Sequence, residues 1–239
     1  MYIRSRFNNQ TSTENILMKK IILLLCLSLI FTKNQAQNSP QNKLGNWYMY
    51  NGSHKLSEKY ALKTMAHFRF FELTNEFQQS IYRLGLNYNL NSKMNLTFGV
   101  SYANADTEYQ NPSNLLTEFR FYEDINLKYK LGDFKLRHRF RFEHRFIEIN
   151  DVKSTVNWLR YDLNGTYPLS KTWNIYAFNE IFFNFKGDLI DQNWTGAGFL
   201  YALNNRIKFK AGYFYQKLPN FGFNRLQLGI IVNTNHTKK

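Results

Sequence analysis

Residues 137–146 alternate charged side chains with aromatic rings and read Arg-His-Arg-Phe-Arg-Phe-Glu-His-Arg-Phe. Successive side chains of a β-strand point to opposite faces, so this segment would place charges on one face and mostly rings on the other. The charged face carries Arg137, Arg139, Arg141 and Arg145, with Glu143 among them. Guanidinium groups spaced about 6.8 Å apart repel one another, so this column needs acidic partners or an anion.

Acidic residues at alternate positions of other segments can supply these partners. The candidates are Glu118, Asp124 and Asp162, together with Glu180 if its side chain lies on the inner face. Arg83, Arg120 and Arg160 occupy similar alternate positions and extend the basic set. A guanidinium group binds a carboxylate through two parallel hydrogen bonds, which suits Arg to such pairing. Two interpretations follow, an ion-pair lattice that fills and stiffens a barrel or a path for anions, and the first is favoured because small barrels fill their interiors with side chains.

Metal-binding and catalytic motifs do not stand out in the sequence. The five histidines form no HExxH motif and the chain has one cysteine, so we expect no metal, cofactor or disulfide. A lipid-modifying enzyme would need a Ser, a His and an acid in register. The spacing of Ser80, Ser101, His67 and Glu72 singles out none of them. We therefore expect no catalytic residue and keep lipid modification as an alternative.

Eleven segments of the chain carry the aromatic and β-branched residues that favour strands. They are 44–52, 60–71, 77–90, 94–103, 117–129, 134–148, 156–167, 173–185, 194–203, 207–216 and 224–233. Strands of soluble domains average about 5 to 6 residues, whereas tilted membrane strands need about 9 to 11. The segment lengths therefore favour strands that cross a membrane.

Hydrophobic alternation indicates which side of these strands meets the interior. In the segment 77–90, Leu84 and Leu86 share one face, whereas Arg83 and Asn87 share the other. A soluble strand buries its apolar face, but an outer-membrane strand turns that face to lipid and its polar face to a lumen. We predict the second arrangement, an all-β fold in which a single domain forms an antiparallel up-and-down transmembrane β-barrel of roughly 10 to 12 strands.

Connections between the segments alternate in length, as they do in outer-membrane barrels. Tight turns are expected at 91–93, 131–133, 168–172 and 203–206, and longer links at 104–116, 149–155, 186–193 and 217–223. A barrel whose two termini both lie in the periplasm needs an even number of strands, whereas eleven segments occur. Either the first segment pairs differently or lies in the lumen, or one strand is missed or split.

Two sets of rings are expected on the outer surface of the barrel. Trp47, Trp158, Trp173 and Trp194 lie near segment ends and predict an aromatic girdle at the membrane interfaces, although such rings also occur in ordinary cores. His138 and His144 lie on the ring face of their segment and are expected to point outward as well.

A secretory signal peptide is predicted over 18–36. Two lysines precede a short apolar stretch, which has too few residues for a spanning helix of about 20. We expect cleavage after Ala36 and a barrel domain over 37–239. Residues 1–17 are interpreted as an extension upstream of the true start at Met18 or, alternatively, as a long n-region of the signal.

The chain is basic, with 31 Lys and Arg against 17 Asp and Glu and a formal charge of +14. Basic, aromatic-rich chains can bind nucleic acid, but an exported protein does not meet it, so no nucleic-acid partner is expected. An anionic lipopolysaccharide surface or an anion in the lumen fits an exported barrel better. We expect location in the outer membrane of a Gram-negative bacterium, with outer-membrane lipid, lipopolysaccharide and, during biogenesis, the barrel-assembly machinery as partners.

Six short motifs occur in order along the chain. They are Leu-Gly-Asn-Trp-Tyr-Met-Tyr at 44–50, His-Phe-Arg-Phe-Phe-Glu-Leu at 67–73, the charged segment at 137–146, Asn-Glu-Ile-Phe-Phe-Asn at 179–184, Asp-Gln-Asn at 191–193 and Arg-Leu-Gln-Leu-Gly at 225–229. As an ordered set, the chain from Leu44 to Asn233 resembles the DUF2490 family of unknown function, which is widespread in Bacteroidetes. The resemblance implies an outer-membrane β-barrel and supplies no activity and no catalytic residue.

The function expected from these patterns is that of a non-enzymatic outer-membrane barrel with an Arg-rich lumen. Such a barrel would act as a narrow anion-preferring pore or as a plugged structural barrel. Two alternatives stay open, an outer-membrane lipid-modifying enzyme and a secreted soluble β-barrel that binds a hydrophobic ligand.

Overall fold

The structure is a computed structural model that describes residues 39–106, 108–110, 115–186 and 189–237. The predicted signal peptide and upstream extension lie outside these residues. Within them, a short 3₁₀ turn (Pro40–Asn42) precedes eleven strands. The strands are β1 (Leu44–Lys55), β2 (Tyr60–Phe70), β3 (Phe77–Asn89), β4 (Met94–Asp106), β5 (Leu115–Leu131), β6 (Phe134–Ile149), β7 (Val152–Pro168), β8 (Trp173–Asn184), β9 (Ile190–Ala202), β10 (Ile207–Lys217) and β11 (Gly222–Asn235). In the described part of the chain, no helix has the length and apolar character that crossing a membrane would require.

The eleven described strands form one closed barrel in which sequence neighbours pair and β1 closes against β11. Ten of the pairs are antiparallel, whereas β1 and β11 run parallel, with Leu44 opposite Asn224 and Lys55 opposite Asn235. An up-and-down chain of eleven strands gives its first and last strands the same direction, so only a parallel pair can close it. The predicted barrel and strand number are confirmed, and the prediction of antiparallel pairing throughout is wrong at this one seam.

Connections at the two ends of the barrel differ less than predicted. One end, the turn end, carries the connections 56–59, 90–93, 132–133, 169–172 and 203–206, and the opposite loop end carries 71–76, 107–114, 150–151, 185–189 and 218–221. The predicted long link at 149–155 is wrong, because β6 and β7 stay paired up to Asn150 and Asp151. These two residues have φ values of 48° and 64°, the left-handed conformation of tight hairpin turns. The link at 218–221 is likewise short.

Large apolar side chains are exposed on the outside of every strand. Examples, one from each strand in order, are Tyr48, Phe68, Leu84, Phe98, Phe121, Phe140, Tyr167, Ile175, Phe199, Phe209 and Leu228. Phe98 is 57% exposed, although Phe is among the residues most often buried in soluble proteins. His138 also lies on the outer side, where its ring nitrogen is 2.8 Å from the Tyr161 hydroxyl, and His144 lies there 3.0 Å from the Asn157 amide oxygen. The outer surface of the barrel is therefore largely apolar.

Candidate functional site

Glu143 on β6 is the centre of an ion-pair network inside the barrel. Its carboxylate lies 2.9 Å from Nη1 of Arg160 on β7 and 3.2 Å from Nη1 of Arg120 on β5. Arg83 on β3 approaches the same carboxylate to 3.2 Å, and Arg141 lies 3.7 Å away. Glu143 is 0% exposed. Because β4 and β5 separate β3 from β6, the pair formed with Arg83 crosses the lumen and joins strands that are not neighbours.

Two further carboxylates on β5 bind arginines of the same network. Asp124 accepts two hydrogen bonds from Arg141, at 2.6 Å from Nε and 2.7 Å from Nη2. Glu118 accepts two from Arg145, at 2.5 Å and 3.0 Å, and one from Arg120 at 2.7 Å. These forked contacts are the strong, directional pairing that guanidinium groups make with carboxylates.

The network continues onto β7 and β8. Glu180 accepts hydrogen bonds from Arg139 at 2.6 Å and from Arg160 at 2.9 Å, and Asp162 accepts one from Arg137 at 2.7 Å. The twelve residues in contact are Arg83, Glu118, Arg120, Asp124, Arg137, Arg139, Arg141, Glu143, Arg145, Arg160, Asp162 and Glu180. They are the twelve residues that the sequence assigned to the lumen. Seven arginines therefore meet five carboxylates, which leaves the network positively charged.

Three of the four tryptophans lie inside the barrel, so the prediction that all four form an outer girdle is wrong. Trp47, Trp158 and Trp194 are buried, and only Trp173 is on the outer side, at 46% exposure. The position of a tryptophan near a strand end does not determine its face. The alternation of polar and apolar residues determines the face only where one face of the strand is clearly polar.

The buried tryptophans belong to an interior ring cluster that the sequence analysis missed. Its members are Trp47, Met49, Trp158, Tyr176, Phe178, Phe182, Trp194 and Phe214. The ring centroids of Phe182 and Trp194 are 4.4 Å apart, and those of Trp47 and Phe214 are 4.7 Å apart. Part of this cluster could have been predicted from the sequence, because Tyr176, Phe178 and Phe182 share a strand face with Glu180.

Cations of the network stack directly on these rings. The guanidinium carbon of Arg145 lies 3.6 Å from the ring centroid of Trp158, and that of Arg160 lies 4.2 Å from the ring of Phe182. Such contacts are favourable because the face of an aromatic ring carries partial negative charge. The ion-pair network and the interior ring cluster are thus one packed unit.

Arg69, Lys210 and Arg225 are interior cations without a carboxylate partner among the described residues. Arg69 lies 3.6 Å above the Trp47 ring and donates to Gln79 Oε1 at 2.8 Å. Lys210 lies 4.6 Å from the Tyr176 ring centroid. Arg225, which is fully buried, donates to the Phe70 carbonyl at 3.2 Å. Unpaired cations in the interior of a barrel favour the binding of anions.

A cavity of about 540 Å³, here called the basic chamber, occupies part of the lumen. Its basic lining residues are Lys63, Arg69, Arg83, Lys128, Arg137, Arg139, Arg141, Arg160 and Lys210, and its acidic ones are Asp124, Asp162 and Glu180. The lining includes residues near the turn end, such as Lys63, Asn126 and Asn233. It does not include Phe214 or Glu143 of the packed unit. The chamber therefore occupies the turn-end side of the lumen, with packed side chains beyond it toward the loop end.

Other residues considered for catalysis lie in separate places. His67 faces the chamber, and its Nε2 lies 3.3 Å from the Asn51 amide oxygen. Glu72 is in the loop-end connection and accepts a hydrogen bond from Tyr109 at 2.5 Å. Ser101 is buried, and its hydroxyl has no partner within the described residues. The described part of the chain contains no group of three or more His, Cys, Asp or Glu side chains that could hold a metal ion.

Comparison with known proteins gives a family and no activity. No curated protein matches the chain. The model of the family described as "Protein of unknown function (DUF2490)" matches residues 44–227, which include all twelve residues of the ion-pair network. The match covers well over half of the chain. This chain belongs to the DUF2490 family.

Proposed function

We propose that this chain is an outer-membrane β-barrel of a Gram-negative bacterium whose lumen is closed on the loop-end side and forms a basic chamber on the turn-end side. The apolar side chains exposed on all eleven described strands support a lipid-facing surface, because so large an exposed apolar area is unfavourable in water. Strand length supports it too, since the shortest described strands have 11 residues and a tilted strand needs about 9 to 11 to cross a bilayer.

The observation that carries the closed lumen is the packing of the loop-end half. The Arg83–Glu143 contact joins β3 to β6, and the Phe182 and Trp194 rings pack with their centroids 4.4 Å apart. A through pore needs a continuous path of water, whereas Glu143 is fully buried. We therefore propose a binding or structural barrel in preference to the anion-preferring pore.

The connections support one orientation in the membrane, because the longest of them, 71–76 and 107–114, lie at the loop end. Outer-membrane barrels place short turns in the periplasm, so in this proposal the turn end and the basic chamber face the periplasm. Outer-membrane lipid and lipopolysaccharide contact the outer surface, and the barrel-assembly machinery inserts the chain. The proposal assigns no catalytic step to the barrel.

Two measurements test this proposal. After expression in a Gram-negative host, density-gradient fractionation should find the protein in the outer membrane, and recovery in the soluble periplasm would favour the soluble ligand-binding alternative. The purified protein in a planar bilayer should give no conductance steps under conditions where an open porin does. Reproducible steps that change with Arg139→Ala would contradict the closed lumen.

A further inference from the structure

One wall of the basic chamber is charged. β6 contributes Arg137, Arg139 and Arg141, and the adjacent strands add Asp124 and Asp162. Both of these carboxylates already accept hydrogen bonds from arginines, Asp124 at 2.6 Å and Asp162 at 2.7 Å. Arg139 is bound to Glu180 as well, so the arginines and carboxylates of this wall are paired with one another. The positive charge that favours an anionic group comes from Lys63, Arg69 and Lys210, which also line the chamber.

The opposite wall, here called the apolar wall, carries a patch of apolar side chains among polar ones such as Asn51, Glu180 and Gln227. β8, β9 and β11 contribute Phe178, Leu200 and Ile231, and β1 adds Trp47 and Met49. These side chains offer almost no hydrogen-bonding groups, but they gain free energy when they cover hydrocarbon. A small inorganic anion would leave this wall in contact with water alone.

Lys210 and Arg69 line the chamber beside the apolar wall and have no carboxylate partner among the described residues. The Lys210 ammonium group is close to the Tyr176 and Phe178 rings, at 4.6 Å and 5.7 Å from their centroids, and has no acceptor among the described residues. Arg69 Nε is likewise buried without a hydrogen-bond partner in that part of the chain. Buried donors are normally satisfied, so Arg69 Nε indicates a missing acceptor, and the partly buried Lys210 adds a second donor that lines the chamber. A neutral lipid has no charged acceptor to offer these cations.

The size and entrance of the chamber suit an organic ligand. Its volume of about 540 Å³ lies within the range of roughly 300 to 1,000 Å³ that small-molecule sites occupy. Near the turn end, Lys63, Lys128 and Arg137 all line the chamber, so three cations gather at this side. Such a cluster raises the local concentration of anions.

From these four observations we infer that the basic chamber binds a single-chain amphiphile with an anionic head group, either a carboxylate or a phosphate monoester. The head group meets Lys210 and Arg69, and the hydrocarbon chain lies along the apolar wall. The inference adds a ligand class to the proposed function. It rests on that proposal, because it requires the lumen to be a closed chamber and not a channel.

Quenching of tryptophan fluorescence tests the inference, because Trp47 and Trp194 line the chamber. The full-length mature protein in lipid nanodiscs, with Trp173→Phe to remove the outward tryptophan, is titrated with brominated dodecanoate and with brominated dodecyl phosphate. We expect saturable quenching by at least one of them, and the tighter binder identifies the head group. Unlabelled dodecanol, dodecyltrimethylammonium and acetate should each compete at least about tenfold less well than unlabelled dodecanoate or dodecyl phosphate, whichever binds, because each lacks the charge or the chain.

Matched variants on β10 separate binding from folding. Lys210→Met should weaken binding about tenfold or more, since it removes a charge-assisted hydrogen bond, whereas Lys217→Met, on the same strand but outside the chamber, should leave binding unchanged. Arg69→Gln serves as the second variant if Lys210→Met does not fold.

The inference fails if no saturable quenching occurs, if dodecanol competes as well as dodecanoate, or if acetate does. It also fails if Lys210→Met and Arg69→Gln, both folded, bind like the parent. Failure of binding in a barrel without conductance would refute the ligand and leave the closed lumen intact. Conductance of the parent protein would refute the closed lumen whatever the binding result.

Discussion

The Tyr176 hydroxyl donates a hydrogen bond to Gln227 Oε1 at 3.0 Å, although β9 and β10 separate their strands. The tyrosine side chain lies across these two strands, where Gly198 and Gly212 stand beside it in the register. A Cβ on Gly198 would sit 2.7 Å from the Tyr176 hydroxyl oxygen, so a larger residue would clash with the ring. One side chain thereby connects four strands of the barrel wall.

Tyr122 on β5 repeats this arrangement on another part of the wall. Gly99 on β4 is its register partner, and Gly85 on β3 is the partner of Gly99. A Cβ on Gly85 would sit 2.5 Å from the Tyr122 hydroxyl oxygen. The glycines of both sites are explained by the same requirement, a close approach of an aromatic ring to the backbone of two strands.

Gly212→Val tests this packing. The added side chain overlaps the Tyr176 ring, so we expect a loss of about 1–3 kcal/mol in the free energy of unfolding. Urea unfolding in detergent, followed by tryptophan fluorescence, measures it. Ala211→Val, on the outward face of the same strand, should change stability by less than about 0.5 kcal/mol. Equal losses in the two variants would contradict the role given to Gly212.

Glu143→Gln should be among the most destabilising single changes in the barrel. It leaves the surrounding arginines without their shared carboxylate, and removal of one partner from a buried ion pair typically costs about 3–5 kcal/mol. The matched control is Glu58→Gln, because Glu58 lies in a turn-end connection, 83% exposed, with Lys55 at 2.6 Å. The control should stay within about 1 kcal/mol of the parent in the same unfolding assay. A stable Glu143→Gln protein would show that the network does not depend on its centre.

Acidic pH should break the hydrogen bond between Tyr109 and Glu72 at the loop end. The hydrogen bond from Tyr109 lowers the pKa of the Glu72 carboxyl below its ordinary value of 4.5, with burial opposing this effect and Lys43, 3.3 Å away, adding to it. A carboxyl with a lowered pKa in the folded state stabilises above its unfolded pKa and loses that contribution as the pH falls through the folded one. A nitroxide attached through Asn75→Cys should therefore become more mobile as the pH drops below 4.5.

Tyr109→Phe tests the same hydrogen bond without a change of pH. It removes the hydrogen bond directly, so the label should be mobile at neutral pH as well. Glu58→Gln, in a turn-end connection, should leave the mobility and its pH dependence unchanged. A label that responds to pH identically in the parent and in Tyr109→Phe would contradict the part played by Glu72.

Much of the barrel could be predicted because alternation is explicit wherever one strand face is charged. On β6, Arg139 and Phe140 can only point to opposite sides, and the neighbouring Asp124 and Asp162 fix which side is interior. Closure between β1 and β11 could not be predicted, because local patterns do not specify which edges meet. The two-residue turn at 150–151 was hidden by polar residues that continue β7 beyond the apolar part of its pattern.

The interior rings escaped prediction for a related reason. Strand β8 is apolar on both faces, and a ring such as Phe182 has no property that distinguishes a lipid contact from a core contact. Trp194 likewise faces inward, where its ring centroid lies 4.4 Å from that of Phe182 and 5.8 Å from that of Phe214. Packing across the lumen, which depends on the whole closed barrel, decides the position of such rings.

The most direct test of the account is the surroundings of the outward rings in a bilayer. Nitroxides attached through Phe98→Cys and Phe209→Cys report collisions with oxygen, which concentrates in lipid, and with a water-soluble nickel complex; residues 37–239 contain no other cysteine. A label at Leu73→Cys, in the loop-end connection, provides the aqueous reference. We predict that oxygen collisions dominate at positions 98 and 209 and nickel collisions at position 73. Dominant nickel collisions at positions 98 and 209 would show that water covers the aromatic surface and would contradict the outer-membrane barrel.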